Sequence, residues 1–227
     1  MHPPIFASTQ GSIDPILERY QRILHHLQSH MPAPQLLAVS KFQPTENMQP
    51  LLDNGHRLFA ESRYEEAIAK WTPLKERYHD ISLHYIGALQ SRKIKKIVSF
   101  FDVIQSVDSR QTVEKVAESA ANCGKKMSIF IQVNIGNEPQ KQGVRCAELT
   151  EICNLARNSP FLTLEGLMCI PPHGLDATPF FAQMAQYKQQ LALTHLSMGM
   201  SEDYLQALAY HPSYVRIGSL LFGKRNP

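Results

Sequence analysis

The sequence predicts a (β/α)8 barrel. Eight short apolar segments recur along the chain, stretches with helical periodicity lie between them, and several segments are continuously apolar rather than alternating. Continuous apolar runs are typical of parallel strands that are covered on both faces. Eight strands alternating with helices favour a closed barrel. An open doubly wound sheet is the alternative, but its phosphate-binding G-x-G-x-x-G motif is absent after the first segment.

An additional helix is expected before the first strand, because apolar side chains recur at helical spacing in residues 13–29. Each apolar segment that follows is read as a strand, and each periodic stretch between two segments as a helix. The strands are expected at residues 36–40, 57–61, 83–87, 103–107, 128–134, 164–170, 195–200 and 214–221, and the later helices at 46–54, 62–71, 91–99, 109–122, 147–158, 178–194 and 201–210.

The composition is that of one globular domain. A length of 227 residues suffices for one sizeable core and is short for two complete domains, so we expect residues 1–227 to form a single domain. Hydrophobic residues make up 43% and charged residues 19%, which argues against disorder. The formal charge of +3 is too small to call for nucleic acid or an acidic membrane, although an anionic small molecule would suit it.

The location is expected to be the cytoplasm. The four cysteines are scattered and form no CxxC pair, which is typical of a reducing compartment. The first residues lack the basic and then apolar order of a signal peptide. No stretch approaches the roughly 18 apolar residues that a membrane-spanning helix requires.

Two cations occupy unusual positions in this pattern. Lys41 directly follows the first apolar run, and Arg216 lies inside the last one. A desolvated charge without a partner is costly, so an anion or an aldehyde is expected near them. The carboxyl ends of barrel strands carry function, and a buried lysine amine can condense with a carbonyl there. The alternatives are a solvated lysine at the rim, and a buried ion pair of Arg216 with a carboxylate such as Glu61 or Glu165.

A phosphate could bind near the last two strands. Gly218 and Ser219 follow Arg216 and can offer backbone N–H groups, and the loops after the seventh and eighth strands frequently form the phosphate site of such barrels. Ser201 follows the seventh strand at the start of a predicted helix, where simple N-capping would also explain a serine. Glu202 and Asp203 in the first turn favour the helix dipole but would oppose a phosphate unless they point outward.

Other candidate sites are weaker. His26 and His30 could share a helix face, but no third metal ligand is in view, and no metal site is expected. The basic run over residues 92–96 is more typical of a solvated helix face than of a nucleic-acid site.

Motifs along most of the chain resemble the pyridoxal phosphate homeostasis protein family, whose fold is like the N-terminal barrel of alanine racemase. The first is Leu-Ala-Val-Ser-Lys, which ends at Lys41, and another is Gly-Leu-Met-Cys-Ile-Pro, which ends at Pro171. So many motifs in one register make the resemblance specific. The matching segments are residues 37–41, 59–62, 84–93, 105–109, 133–143, 166–171, 196–201 and 215–218.

This resemblance implies a cofactor and the residues that bind it. Lys41 would carry pyridoxal 5'-phosphate (PLP) as a Schiff base, the internal aldimine, and Arg216 would face the pyridine nitrogen. The phosphate would lie against Ser201, Gly218 and Ser219. Met200, in the same motif as Ser201, and Ser62, which stands where the family usually has asparagine, complete the implied cofactor-binding set. The resemblance also suggests a monomer.

The chain departs from the family pattern at several further positions. Ala60 replaces the usual glycine, Arg92 an asparagine and Gly136 a serine, and residues 211–213 read His-Pro-Ser in place of Gly-Ser-Thr. Pro212 removes a backbone donor, and this segment is expected on the phosphate side of the pocket. We therefore expect weaker PLP binding than the family norm.

Two functions of different class follow from the resemblance. The first is a non-enzymatic PLP carrier in vitamin B6 homeostasis, with PLP-dependent apoenzymes as recipients and no catalytic residue. A fixed cation beside the pyridine nitrogen disfavours its protonation and makes the ring a poorer electron sink. The second is a small PLP-dependent amino-acid racemase. Such a racemase needs a second acid or base, which in the enzymes it resembles comes from an additional β-domain that we do not expect after Phe222.

Overall fold

The computed structural model describes residues 14–223 and contains a closed barrel of eight parallel strands. Each strand pairs with the next one in sequence, and the last strand pairs with the first. The predicted fold class is therefore confirmed, and the open sheet is excluded. The strands are β1 (Gln35–Val39), β2 (Leu58–Glu61), β3 (Ser82–Tyr85), β4 (Val103–Val107), β5 (Met127–Val133), β6 (Leu162–Cys169), β7 (His195–Met200) and β8 (Tyr214–Ile217).

Helices follow the strands around the outside of the barrel. The helices of the described chain are α1 (Pro15–Gln28), α2 (Gln49–Asp53), α3 (Tyr64–Arg77), α4 (Ile94–Phe100), α5 (Arg110–Asn122), α6 (Leu149–Arg157), α7 (Thr178–Gln190), α8 (Tyr204–Leu208) and α9 (Ser219–Phe222). Short 3₁₀ turns at Thr45–Asn47, Ser91–Lys93 and Cys146–Glu148 precede α2, α4 and α6.

The expected additional helix α1 lies on the outside of the barrel. The Asp14 carboxylate caps its first turn by accepting from the Ile16 amide at 2.7 Å. Arg19 donates from Nε to the Leu221 carbonyl oxygen at 2.7 Å, so α1 is tied to α9. Ile13, the first residue of the predicted helix, lies outside the described residues, and so does part of the predicted single domain 1–227, which stays a prediction.

The predicted last strand was wrong at its end. The strand stops at Ile217, and Ser219–Phe222 form α9 instead of continuing it. Gly218 turns the chain out of the sheet with φ −117° and ψ −81°. The periodicity could not reveal this, because a short buried helix and a buried strand share the same apolar run.

Two predicted helices after β6 and β7 are shorter than expected. The helix predicted at 178–194 ends at Gln190, and Ala192 has a positive φ of 48°, which a helix does not contain. The helix predicted at 201–210 begins only at Tyr204. Ser201 is consequently not its N-cap, and the capping interpretation of this serine was wrong.

Alternation along the strands separates two apolar regions. Leu36, Ala38 and Phe59 belong to the large core between the strands and the helices. Leu37 and Val39 form a smaller cluster with Ala60 inside the barrel. Side chains at even and odd positions of β1 therefore have different surroundings, and this alternation decides which side chains reach the barrel mouth. No helix within residues 14–223 is long and apolar enough to cross a membrane.

Candidate functional site

A cavity of about 730 Å³ opens at the carboxyl ends of the strands. This volume is within the roughly 300–1,000 Å³ of ordinary ligand pockets. Of the seven predicted binding residues, six line it, and they come from both ends of the sequence. These six are Lys41, Met200, Ser201, Arg216, Gly218 and Ser219.

Ser62, the seventh, is not among the residues that line the cavity. Its backbone is packed tightly against Gly87, where an added Cβ would lie 2.1 Å from the Ser62 carbonyl oxygen. A serine side chain is also shorter than the asparagine that the family pattern has here. A contact between Ser62 and a bound cofactor stays a prediction.

Lys41 is placed at the cavity by the end of β1. Val39, two residues before it, also lines the cavity, whereas Ser40 between them points outward and is buried. The chain then turns, with the Gln43 amide donating to the Ser40 carbonyl oxygen at 3.1 Å. Alternation along the strand thus directs Lys41 into the same space as Val39.

A buried charge cluster lies behind Lys41, between β1, β2 and α3. The Glu61 carboxylate is fully buried and forms an ion pair with Lys70, Nζ to Oε1, at 2.9 Å. The same oxygen accepts from Ser40 Oγ at 2.8 Å and from Trp71 Nε1 at 3.0 Å. Because Glu61 is paired with Lys70, it is not the partner of Arg216. Glu165, the other suggested partner, accepts from Ser128 Oγ at 2.8 Å.

Replacing Lys70 by methionine is expected to cost about 3–5 kcal/mol of unfolding free energy, because the buried Glu61 carboxylate loses its cation. Lys75→Met is the matched control on the same helix. It breaks a partly exposed pair, 2.8 Å from Nζ to Asp102 Oδ2, and should cost at most about 1 kcal/mol. Denaturant unfolding followed by circular dichroism measures both. Equal losses in the two variants would contradict the prediction.

Arg216 is 3% exposed and makes its hydrogen bonds to neutral groups. Nη1 donates to Ser197 Oγ at 2.8 Å and Nη2 to the Cys169 carbonyl oxygen at 2.7 Å. Burial lowers the pKa of Arg216 from its ordinary value. Within residues 14–223 no carboxylate lies at salt-bridge distance from it, so the alternative of a buried ion pair with Glu61 or Glu165 was wrong. The guanidinium is therefore a buried positive charge at the wall of the cavity.

A chain of hydrogen bonds fixes Arg216 across the barrel interior. Ser197 Oγ accepts from Arg216 and therefore donates to Gln105 Oε1 at 2.7 Å. The Gln105 amide nitrogen then faces His84 Nδ1 at 2.8 Å. Because arginine can only donate, the direction of every bond in this chain is set. Burial lowers the pKa of His84 to about 4, so its imidazole is neutral and accepts at Nδ1.

The predicted phosphate side lies where β7 and β8 end. Ser201 Oγ accepts from the Leu220 amide at 3.2 Å, which joins the loop after β7 to α9. Asp203 Oδ1 accepts from the Met200 amide at 2.6 Å, so this carboxylate is directed at its own loop. An added Cβ on Gly218 would lie 3.3 Å from the Val39 carbonyl oxygen, a close approach that suits glycine.

The segment His211–Pro212–Ser213 lies at the opposite end of the barrel. It precedes β8, and the Ser213 carbonyl oxygen accepts from the Gln35 amide at the start of β1 at 2.8 Å. The cavity is at the carboxyl ends of the strands, so the expectation that this segment touches the phosphate side was wrong. Pro212 therefore gives no reason to expect weak binding.

No part in the site was predicted for Lys141, which also lines the cavity. Its Nζ lies 2.6 Å from Glu138 Oε2 and donates to the Pro171 carbonyl oxygen at 3.3 Å. Gly136, a departure from the family pattern, lies close by, and an added Cβ there would be 2.4 Å from Pro172 Cγ. The motif over residues 133–143 pointed to this loop, but the tertiary contact with the loop after β6 was needed to place it.

Comparisons with known proteins agree with this geometry. The family model described as alanine racemase, N-terminal domain, matches residues 16–226. The alanine racemase of Clostridium difficile 630 has a TM-score of 0.75 at 15% identity, covering 95% of this chain and 58% of that chain. At this identity the likeness shows the fold alone. Fold and site thus define a barrel of the alanine racemase N-terminal class.

Closer relatives narrow this class. The pyridoxal phosphate homeostasis protein of Aquifex aeolicus is 32% identical over 219 residues, covering 92% of this chain and 95% of that protein. That of Vibrio alginolyticus is 35% identical over 202 residues, covering 85% and 87%. The structure of PipY from Synechococcus elongatus PCC7942 with PLP bound has a TM-score of 0.82 at 35% identity, covering 92% of this chain and 100% of that chain. The chain belongs to the pyridoxal phosphate homeostasis protein family.

Proposed function

We propose that this protein binds PLP in the cavity at the barrel mouth and serves in PLP homeostasis. The observation that carries the proposal is that Lys41 and the buried Arg216, which forms no salt bridge within residues 14–223, line one cavity of ligand size. A relative that covers most of this chain has been solved with PLP bound. The residues present fit the cofactor: an amine for its aldehyde, a guanidinium for its ring nitrogen, and serine and glycine for its phosphate.

Each lining residue has a stated part in this proposal. Lys41 Nζ would hold the aldehyde by condensing with it to a Schiff base and releasing water. Arg216 would donate to the ring nitrogen and, as a fixed cation, would disfavour a proton there. Ser201, Gly218 and Ser219 contact the phosphate, and Met200 lies beside them. When bound, PLP supplies a reactive aldehyde and an electron-accepting ring.

We infer that the protein turns over no substrate of its own. Relatives that cover most of this chain are named homeostasis proteins, and a cation beside the ring nitrogen makes the ring a poorer electron sink, which suits holding the aldehyde or limited racemisation rather than broad amino-acid chemistry. The measurement is solvent deuterium incorporation at Cα of alanine or serine, and we expect none over hours. Steady exchange that depends on Lys41 would instead establish the alternative, a small PLP-dependent racemase.

The proposal also includes the protein's location, the recipients of the cofactor and the oligomeric state. The four free cysteines in the described chain suit a reducing cytoplasm. PLP-dependent apoenzymes are the proposed recipients of the cofactor, and we propose that the chain acts as a monomer. The role of apoenzymes as recipients is tested by mixing the loaded protein with an apoenzyme and measuring the recovery of that enzyme's activity. The monomeric state is tested by measuring the molar mass in solution by light scattering.

The proposal is tested by trapping the link between protein and cofactor. The purified chain is incubated with PLP, reduced with borohydride and digested for peptide mass mapping. We expect one pyridoxyl group on the peptide that contains Lys41. A reduced protein without this adduct, with PLP in excess, would contradict the proposal, and an adduct on Lys141 instead would contradict the role of Lys41.

A further inference from the structure

Side chains of one helix, α3, hydrogen-bond to the backbone on both sides of Lys41. Lys70 Nζ donates to the carbonyl oxygen of Ser40, the residue before Lys41, at 2.6 Å. Glu66 Oε1 accepts from the backbone amide of Phe42, the residue after it. The two peptide groups that flank Lys41 are therefore bonded to side chains of α3.

Glu66 and Lys70 act as one unit. They are four residues apart on α3, hence on the same face, and Lys70 Nζ lies 3.0 Å from Glu66 Oε1. Lys70 is in turn fixed by the buried Glu61 at 2.9 Å. The charged side chains of Glu61, Lys70 and Glu66 thus connect the core to the turn, and Glu66 accepts from the backbone amide next to Lys41.

The backbone at this turn adopts an unusual conformation, which the hydrogen bonds from α3 stabilise. Phe42 has φ +63°, in the left-handed region that bulky side chains rarely adopt. Its ring packs under the Arg63 guanidinium, with 4.4 Å from Cζ to the ring centroid. Residues in unusual backbone conformations persist where the surroundings determine them, and they concentrate at functional sites. Here the surroundings include the helix that begins just after β2.

We propose that Glu66 and Lys70 are positioning residues that hold Lys41 in the geometry required to capture the cofactor aldehyde. This proposal rests on the proposed function, because Lys41 is its reacting residue. Neither residue lines the cavity, so both act through the backbone around Lys41. Glu66 is the better position for a test, because its side chain is 26% exposed and its removal leaves Lys70 paired with Glu61.

The test compares Glu66→Ala with Glu65→Ala in the full chain. Glu65 is the neighbouring residue on α3, and its ion-pair partner is Lys93, 2.7 Å from Nζ to Oε1, which lies in the turn after β3 and not in the turn after β1 that carries Lys41. Each variant loses one carboxylate and one ion pair. The rate constant for PLP capture is measured from the rise of visible absorbance. We expect a roughly tenfold slower rate for Glu66→Ala and an unchanged rate for Glu65→Ala, since small misplacements of reacting groups have effects of this order.

A conservative variant separates positioning from a general loss of stability. Glu66→Gln retains an oxygen that can accept from the Phe42 amide, and it should restore most of the rate. Hydrogen exchange of the Phe42 amide should be faster in Glu66→Ala and unchanged in Glu65→Ala. A Glu66→Ala rate equal to that of Glu65→Ala, or a Glu66→Gln rate as low as that of Glu66→Ala, would overturn the proposal.

Failure of the proposed function would look different. In that case the unsubstituted chain itself would form no adduct at Lys41 after borohydride reduction. Exchange of the Phe42 amide requires no cofactor, and it reports whether Glu66 holds the turn. Unchanged exchange in Glu66→Ala would then overturn the positioning role by itself.

Discussion

Lys41→Ala is expected to abolish the covalent attachment of PLP. The variant retains Arg216 and the residues proposed for the phosphate, so any remaining binding is non-covalent and the absorbance of the Schiff base disappears. Because Lys41 lies at the cavity, and the buried Glu61 keeps its ion pair with Lys70 in this variant, we expect the fold to persist. Absorbance spectra and mass spectrometry after borohydride reduction measure the loss.

Lys141→Ala is the matched control for this variant. Lys141 lines the same cavity, but it already pairs with Glu138 and bonds the Pro171 carbonyl oxygen. We expect the Schiff base absorbance to remain in this variant. If it vanished in Lys141→Ala and remained in Lys41→Ala, the assignment of the reacting amine would be wrong.

The second large effect is a loss of stability in mild acid. Burial lowers the pKa of His56 and of His84 to about 4, from an ordinary value of 6.5. Between these values the unfolded chain binds a proton at each histidine and the folded chain does not, so the free energy of unfolding falls as the pH falls. Each histidine contributes about 3 kcal/mol, which is present above about pH 6.5 and is lost on the way to about pH 4.

Denaturant unfolding at several pH values tests this expectation. Between about pH 6.5 and 5, above the range in which most carboxylates titrate, the slope should approach about 2.7 kcal/mol per pH unit for two protons. His84→Gln should reduce the slope by about half, to about 1.4 kcal/mol per pH unit. A flat profile in this window would contradict the prediction.

Features that depend on strand alternation and motif position could be predicted from the sequence. The apolar runs gave the eight strands, and Lys41 and Arg216 were found because each cation adjoined or interrupted such a run. The boundary between β8 and α9 could not be found this way, because the backbone angles of Gly218 decide it. Apolar character alone does not distinguish a strand from a short buried helix.

The partners of the buried charged side chains also could not be predicted from the sequence. Glu61 was considered as the partner of Arg216, but it faces outward to Lys70 and Trp71, whereas Arg216 faces inward to Ser197. Adjacent strand positions point to opposite sides, so both assignments depend on register, which pairing between strands determines. The role of Glu66 was equally hidden, since its contact is with a backbone amide 24 residues away.

The hydrogen-bonded chain from Arg216 to His84 constrains how the barrel interior can evolve. Ser197 and Gln105 each accept a hydrogen bond on one side and donate one on the other, so a change at either residue leaves one polar group of each neighbour without its partner. Single substitutions at these sites should be selected against, and tolerated changes should arrive in pairs or triplets. Among descendants of this sequence, we expect these positions to vary together as one inherited block.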